Sequence, residues 1–91
     1  MLNGIPPGAT HQLLYVNKSE PTKGMLCFRI NGQLEMLYMS GTTKPWTPTS
    51  EWELKSELDV KTGKIIGPIP VGMTKEEFEE RIEKERLAHA N

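Results

Sequence analysis

The sequence predicts an α+β fold: a small antiparallel β-sheet of three to five strands, centred on one Asn-Gly hairpin, with a single C-terminal α-helix. Three stretches carry that prediction. Met25–Ile30 and Gln33–Met39 are apolar runs separated by Asn31-Gly32, and both turn residues tolerate the positive φ that a two-residue type I′ loop demands. Glu51–Leu58 alternates apolar and charged side chains with the period of a half-buried strand. Thr74 and Glu77, with Met73 and Phe78 beside them, have the spacing of a capping box inside a hydrophobic staple, which starts a helix. At 91 residues the chain is expected to be one domain.

Residues 1–11 are expected to form an extended N-terminal arm, because Met1–Gly8 holds two glycines and two prolines. Residues 12–66 are expected to be a β-meander. Within it Leu13–Val16 reads as a short strand and Lys18–Gly24 as a turn punctuated by Pro21 and Gly24. In the hairpin, a two-residue loop pairs Ile30 with Gln33, Phe28 with Glu35 and Leu26 with Leu37 on one face. Arg29 with Leu34, Cys27 with Met36 and Met25 with Tyr38 share the other. Both faces are then largely apolar, where a one-sided sheet should alternate. The C-terminal helix or the Pro-rich segments are expected to cover one face and a second copy of the chain the other.

Ser40–Ser50 reads as a polar loop stiffened by Pro45 and Pro48. In Glu51–Leu58 a strand would place Trp52, Leu54, Ser56 and Leu58 on one side. A helix competes, since Ser50 and Glu53 have capping-box spacing. The strand is preferred because Trp52, Leu54 and Leu58 do not form one narrow helical stripe. Asp59–Lys64 reads as a turn, Ile65-Ile66 as a short strand and residues 67–73 as a Pro/Gly linker. Residues 74–89 form the C-terminal helix segment. Its Glu77–Arg81 and Glu80–Lys84 pairs are spaced i,i+4 and are worth about 0.2–0.5 kcal/mol each. The apolar stripe is only Phe78, Ile82 and Leu87, so the helix needs docking to persist.

Charge and composition exclude several functions. Eleven basic and twelve acidic residues leave a net charge of −1, which argues against non-specific DNA binding. The single cysteine, Cys27, cannot form an internal disulfide and reads as a small buried hydrophobe in a cytosolic chain. No apolar run reaches bilayer length, and the N-terminus lacks a signal pattern, so a soluble protein with no membrane partner is expected. His11, His89 and Cys27 have no zinc-site spacing. There is no Gly-x-Ser-x-Gly, and Gly63-Lys64 lacks the rest of a phosphate-binding loop. The expectation is therefore no metal, no cofactor and no enzymatic activity.

One stretch has the parts of a ligand site. Thr42, Thr43, Lys44 and Trp46 bring hydroxyls, a cation and a flat ring close together in the chain, as gripping a phosphate and stacking on a base require. The same parts also make an ordinary threonine-rich loop with Trp46 plugging the core. Thr10 and His11 form a second polar pair.

Pro6-Pro7-Gly8-Ala9-Thr10-His11, followed by Tyr15 and later aromatics at Phe28, Tyr38, Trp46 and Trp52, resembles the opening of a group of small bacteriophage and prophage proteins. The resemblance implies an accessory protein made in the cytoplasm of the host cell. Small phage proteins without catalytic residues act mostly by binding. The expectation is a counter-defence protein that inhibits a host immune or nucleic-acid enzyme, or sequesters a nucleotide signal as a homo-oligomer. The alternative is a small virion or assembly protein; a small nuclease or phosphodiesterase ranks third.

Overall fold

The computed structural model describes residues 5–88. The chain is α+β: its described residues form one antiparallel sheet of six strands and one C-terminal helix. The strands are β1 (Ala9–Asn17), β2 (Gly24–Ile30), β3 (Gln33–Leu37), β4 (Thr43–Pro45), β5 (Trp52–Asp59) and β6 (Ile65–Gly67); α1 is Lys75–Ala88. Their order across the sheet is β4-β3-β2-β1-β5-β6. Only β1 to β4 form a meander. The chain then returns across three strands to pair β5 with β1, which corrects the expected meander through residue 66.

The hairpin has the expected register at its closed end. Cys27 opposes Met36, Phe28 opposes Glu35, Arg29 opposes Leu34 and Ile30 opposes Gln33. Asn31 and Gly32 have φ of 53° and 80°, as a type I′ turn requires. Two further expected pairs, Leu26 with Leu37 and Met25 with Tyr38, lie beyond the paired ladder. The N-terminal arm is shorter than expected: Ala9, Thr10 and His11 already belong to β1. Thr10 is the extra residue of a bulge between Ala9, opposite Ile30, and His11, opposite Arg29. Its hydroxyl donates to the Arg29 carbonyl at 3.3 Å.

Residues 51–58 are strand rather than helix from Trp52 onward, but their sidedness differs from simple alternation. Tyr15 opposes Leu54 and Leu14 opposes Ser56, so Lys55 is bulged out. One extra residue flips everything after it. Trp52 and Leu54 therefore share the face of Tyr15, while Ser56 and Leu58 lie on the opposite one. β4, expected as loop, pairs with β3 through Thr43, Lys44 and Pro45.

One face of the sheet holds the core cluster of Leu13, Tyr15 and Cys27, with Met25, Leu34, Met36, Trp46, Trp52 and Leu54 packed against it. Residues 46–51 have to span four strand spacings from β4 to β5, about 19 Å. Six residues reach that far only when nearly extended. They cross on the core face, where Trp46 meets Tyr15 on β1 and Trp52 at the start of β5. The other face buries Phe28, 1% exposed, against 0% for Cys27. Both faces of the hairpin are thus covered at its centre within one chain, so the hairpin itself does not call for a second copy.

α1 begins with the expected capping box: Thr74 N donates to Glu77 Oε1 at 2.9 Å, and Glu77 N donates to Thr74 Oγ1 at 3.1 Å. Because Glu77 is engaged there, Arg81 pairs forward with Glu85 at 3.4 Å rather than back to Glu77. The expected Glu80–Lys84 pair is present at 3.3 Å. Phe78 is the helix's only buried residue. His89 lies outside the described residues.

Candidate functional site

Residues paired directly across neighbouring strands share a face. Arg29 lies between His11 of β1 and Leu34 of β3 on the core face. Trp46 joins that row because its N–H donates to the Leu34 carbonyl at 3.0 Å. The crossover lifts the chain off the sheet just after Trp46. Between the crossover and the β2–β3 hairpin it leaves a cleft of about 460 Å³, lined by Tyr15, Arg29, Leu34, Trp46, Gln33 and Thr47, among others.

The cleft has an aromatic wall. The rings of Tyr15 and Trp46 meet edge to face, with centroids 5.2 Å apart and planes at 75°. Trp46 meets Trp52 in the same way at 5.9 Å and 82°. Each such pair contributes about 0.5–1.5 kcal/mol beyond burial, so the indole of Trp46 is held from two sides. Burial pushes the Tyr15 phenol above its ordinary pKa, and Cys27 and Glu57 add to that. The Arg29 cation pulls the other way.

Arg29 is the chemically unusual group. Its side chain is half-buried. Among the described residues, no carboxylate comes within 4.0 Å of its guanidinium. A cation removed from water without a counter-charge is costly. A planar five-donor fork beside two aromatic rings suits a planar or tetrahedral anion attached to a ring.

The site residues expected from sequence do not assemble as one pocket. Of Thr42, Thr43, Lys44 and Trp46, only Trp46 lines the cleft. Thr43 opposes Leu37 on the other face and donates its hydroxyl to Glu35 Oε1 at 2.6 Å. Thr42 shares a hydrogen bond with Ser40 at 2.8 Å. Lys44 lies on the core face opposite Met36, but its Nζ sits 5.5 Å over the Tyr38 ring, a cation–π contact, and it does not line the cleft. Thr10 and His11 hydrogen-bond to each other at 2.8 Å, and His11 flanks Arg29 without lining the cleft. Sequence reasoning missed Arg29, Tyr15, Gln33 and Thr47. One signal was available: Arg29 is the lone charge in the apolar run Met25–Ile30, and the hairpin register places it on the core face opposite Leu34.

Among the described residues, no three His, Cys, Asp or Glu side chains gather as a metal site, and no helix is long and apolar enough to cross a membrane. No family model matches the chain, and no curated protein or solved structure is similar to it.

Proposed function

We propose that this chain is a non-enzymatic, phage-type accessory protein that works in the host cytoplasm by capturing a small anion carrying a flat ring, a nucleotide being the natural class. The observation that carries this reading is Arg29: a half-buried cation, without a carboxylate partner among the described residues, set beside the rings of Trp46 and Tyr15. The guanidinium would take the phosphate and the Trp46 ring the base. A counter-defence role rests on the resemblance to small phage proteins, and capture alone would serve it, since a sequestered signal needs no chemistry.

Trp46 and Trp52 make the site its own reporter. Titration with mono-, di- and cyclic nucleotides is expected to quench tryptophan fluorescence with at least one of them. Arg29→Gln is expected to weaken that binding roughly tenfold or more, the loss of one charge-assisted contact of about 1.5–3 kcal/mol. Lys44→Gln is expected to leave it within about twofold, because Lys44 is engaged with Tyr38. A flat titration across the panel, or binding indifferent to Arg29→Gln, would overturn the proposal.

A further inference from the structure

Arg29 has a second titratable group beside it on β1. His11 opposes Arg29 directly, and Asp59 of β5 opposes His11 from the other side, so the three side chains share the core face. The row runs Asp59, His11, Arg29, Leu34, and the Trp46 N–H bonds its far end. His11 thus stands on the side of Arg29 away from Trp46. Directly opposed Cβ atoms lie about 4.5–5.5 Å apart, close enough for an imidazole and a guanidinium to hold one tetrahedral anion.

Hydrogen bonds set the orientation of the ring. The Thr10 hydroxyl has one proton and donates it to the Arg29 carbonyl at 3.3 Å. Its oxygen therefore accepts at the 2.8 Å contact with His11 Nδ1. Nδ1 keeps a proton in either charge state, and Nε2 is the nitrogen that gains or loses one. Opposite charges face it. The Arg29 cation comes from β2; from β5 come the Asp59 carboxylate and, one pair further along that face, Glu57 opposite Leu13. Cys27 follows Arg29 on the same face of β2 as a neutral thiol, pushed by burial up to about 11. Lys61 and Lys64 follow Asp59 in the β5–β6 turn and are exposed. A phosphate seated on Arg29 offsets the cation of the row and leaves the ring between two anions, which favours the imidazolium.

We propose that His11 is the second anion-holding group of the Arg29 site: on binding, Nε2 takes a proton from solvent and donates it in a hydrogen bond to the phosphate on Arg29, so the preferred ligand ends in a phosphate monoester. This rests on the reading of the Arg29 cleft as a nucleotide site. A terminal phosphate offers three oxygens and close to two negative charges near neutral pH, enough for both groups. A cyclic or internal diester offers two free oxygens and a single charge.

The test titrates wild-type tryptophan fluorescence with a nucleoside 5′-monophosphate and with its 3′,5′-cyclic ester. The window is about pH 6.5 to 8.5, above the second ionisation of the phosphate itself. The monophosphate is expected to bind roughly tenfold or more tightly than the cyclic ester at the acid end. Its dissociation constant should rise with pH, by at most about tenfold per pH unit, the limit for one linked proton. Calorimetry in buffers of different ionisation enthalpy should record proton uptake approaching one per site, a reading that needs no variant. His11→Gln is expected to abolish both the uptake and the pH slope while leaving the far-ultraviolet circular dichroism unchanged. Monophosphate binding that is lost in Arg29→Gln yet shows no proton uptake, no pH slope or no preference over the cyclic ester would overturn this inference and leave the Arg29 reading standing. So would an uptake that survives His11→Gln. A panel in which no nucleotide binds would overturn both.

Discussion

The face crossed by residues 46–51 and the end of the sheet beside α1 both carry large apolar side chains, and they hide them to different extents. On the crossover face Leu13, Tyr15 and Cys27 are 1%, 9% and 0% exposed, beneath two interlocked tryptophans. At the helix end Phe78 is buried, but Ile65, Ile66 and Leu87 are 40%, 39% and 57% exposed. The difference follows from how each cover is attached. The crossover is tied at both ends, to Leu34 through Trp46 and to the residue just past β1 through the Lys18 N–H donated to Glu51 O. α1 follows a Pro/Gly segment and buries one ring, Phe78. A cover hydrogen-bonded to the sheet through its backbone completes its own core, whereas one docked by a single ring leaves a groove.

The most severe way to break that comparison is a truncation on each side. Leu13→Ala should destabilise the fold by about 2–5 kcal/mol, because a fully buried leucine loses both transfer energy and packing. Leu87→Ala, on the exposed stripe of α1, should stay within about 0.5 kcal/mol. Urea unfolding measures both, and comparable losses would mean that the two regions are equally finished.

A titration of the core sharpens the same contrast. Burial pushes the Cys27 thiol up from 9.0 to about 11. The folded state thus holds the thiol proton more tightly than the unfolded chain does, so between pH 9 and 11 unfolding releases protons. Stability from this group is complete below pH 9 and falls as pH rises through about 11, by on the order of 2 kcal/mol. Wild type should lose that increment in urea melts taken across the window, relative to Cys27→Ala, whose core has no thiol to ionise. An identical slope in both proteins would show that Cys27 is in contact with solvent.

These outcomes also mark where the sequence was informative. The hairpin and the capping box are local devices: Asn31-Gly32 and Thr74–Glu77 act over two to four residues, so their spacing alone specifies geometry. The sidedness of β5 was not local. Lys55 is bulged only because β1 lies alongside, and nothing in Glu51–Leu58 signals the slip. The expected site residues are dispersed for a related reason. Thr42, Thr43, Lys44 and Trp46 are close in sequence, but strand alternation sends Thr43 to the opposite face, and Tyr38 engages Lys44. The cation that accompanies Trp46 comes from β2, placed there by pairing between strands. The oligomer expectation had its premise in the wrong place. The hairpin is covered by its own chain at its centre, while exposed apolar side chains lie at its open end in Tyr38 and Met39, in the Pro/Gly segment at Ile69 and Val71, and at β6 and α1.

The finest probe of the two regions is the helix cap. Thr74 accepts the Glu77 N–H, and Glu77 returns a bond to the Thr74 N–H, so Thr74→Ala removes half of a reciprocal pair worth roughly 1 kcal/mol. If α1 were an integral part of the cooperative core, that loss would appear in the global unfolding midpoint. A helix held by Phe78 alone should instead fray from its first turn. Its amides should exchange up to about fivefold faster, the rate factor that 1 kcal/mol allows, while the β1 and β2 amides exchange at the wild-type rate. Equal acceleration in α1 and in the central strands would join the two regions into one cooperative unit and remove the distinction between a covered face and an open end.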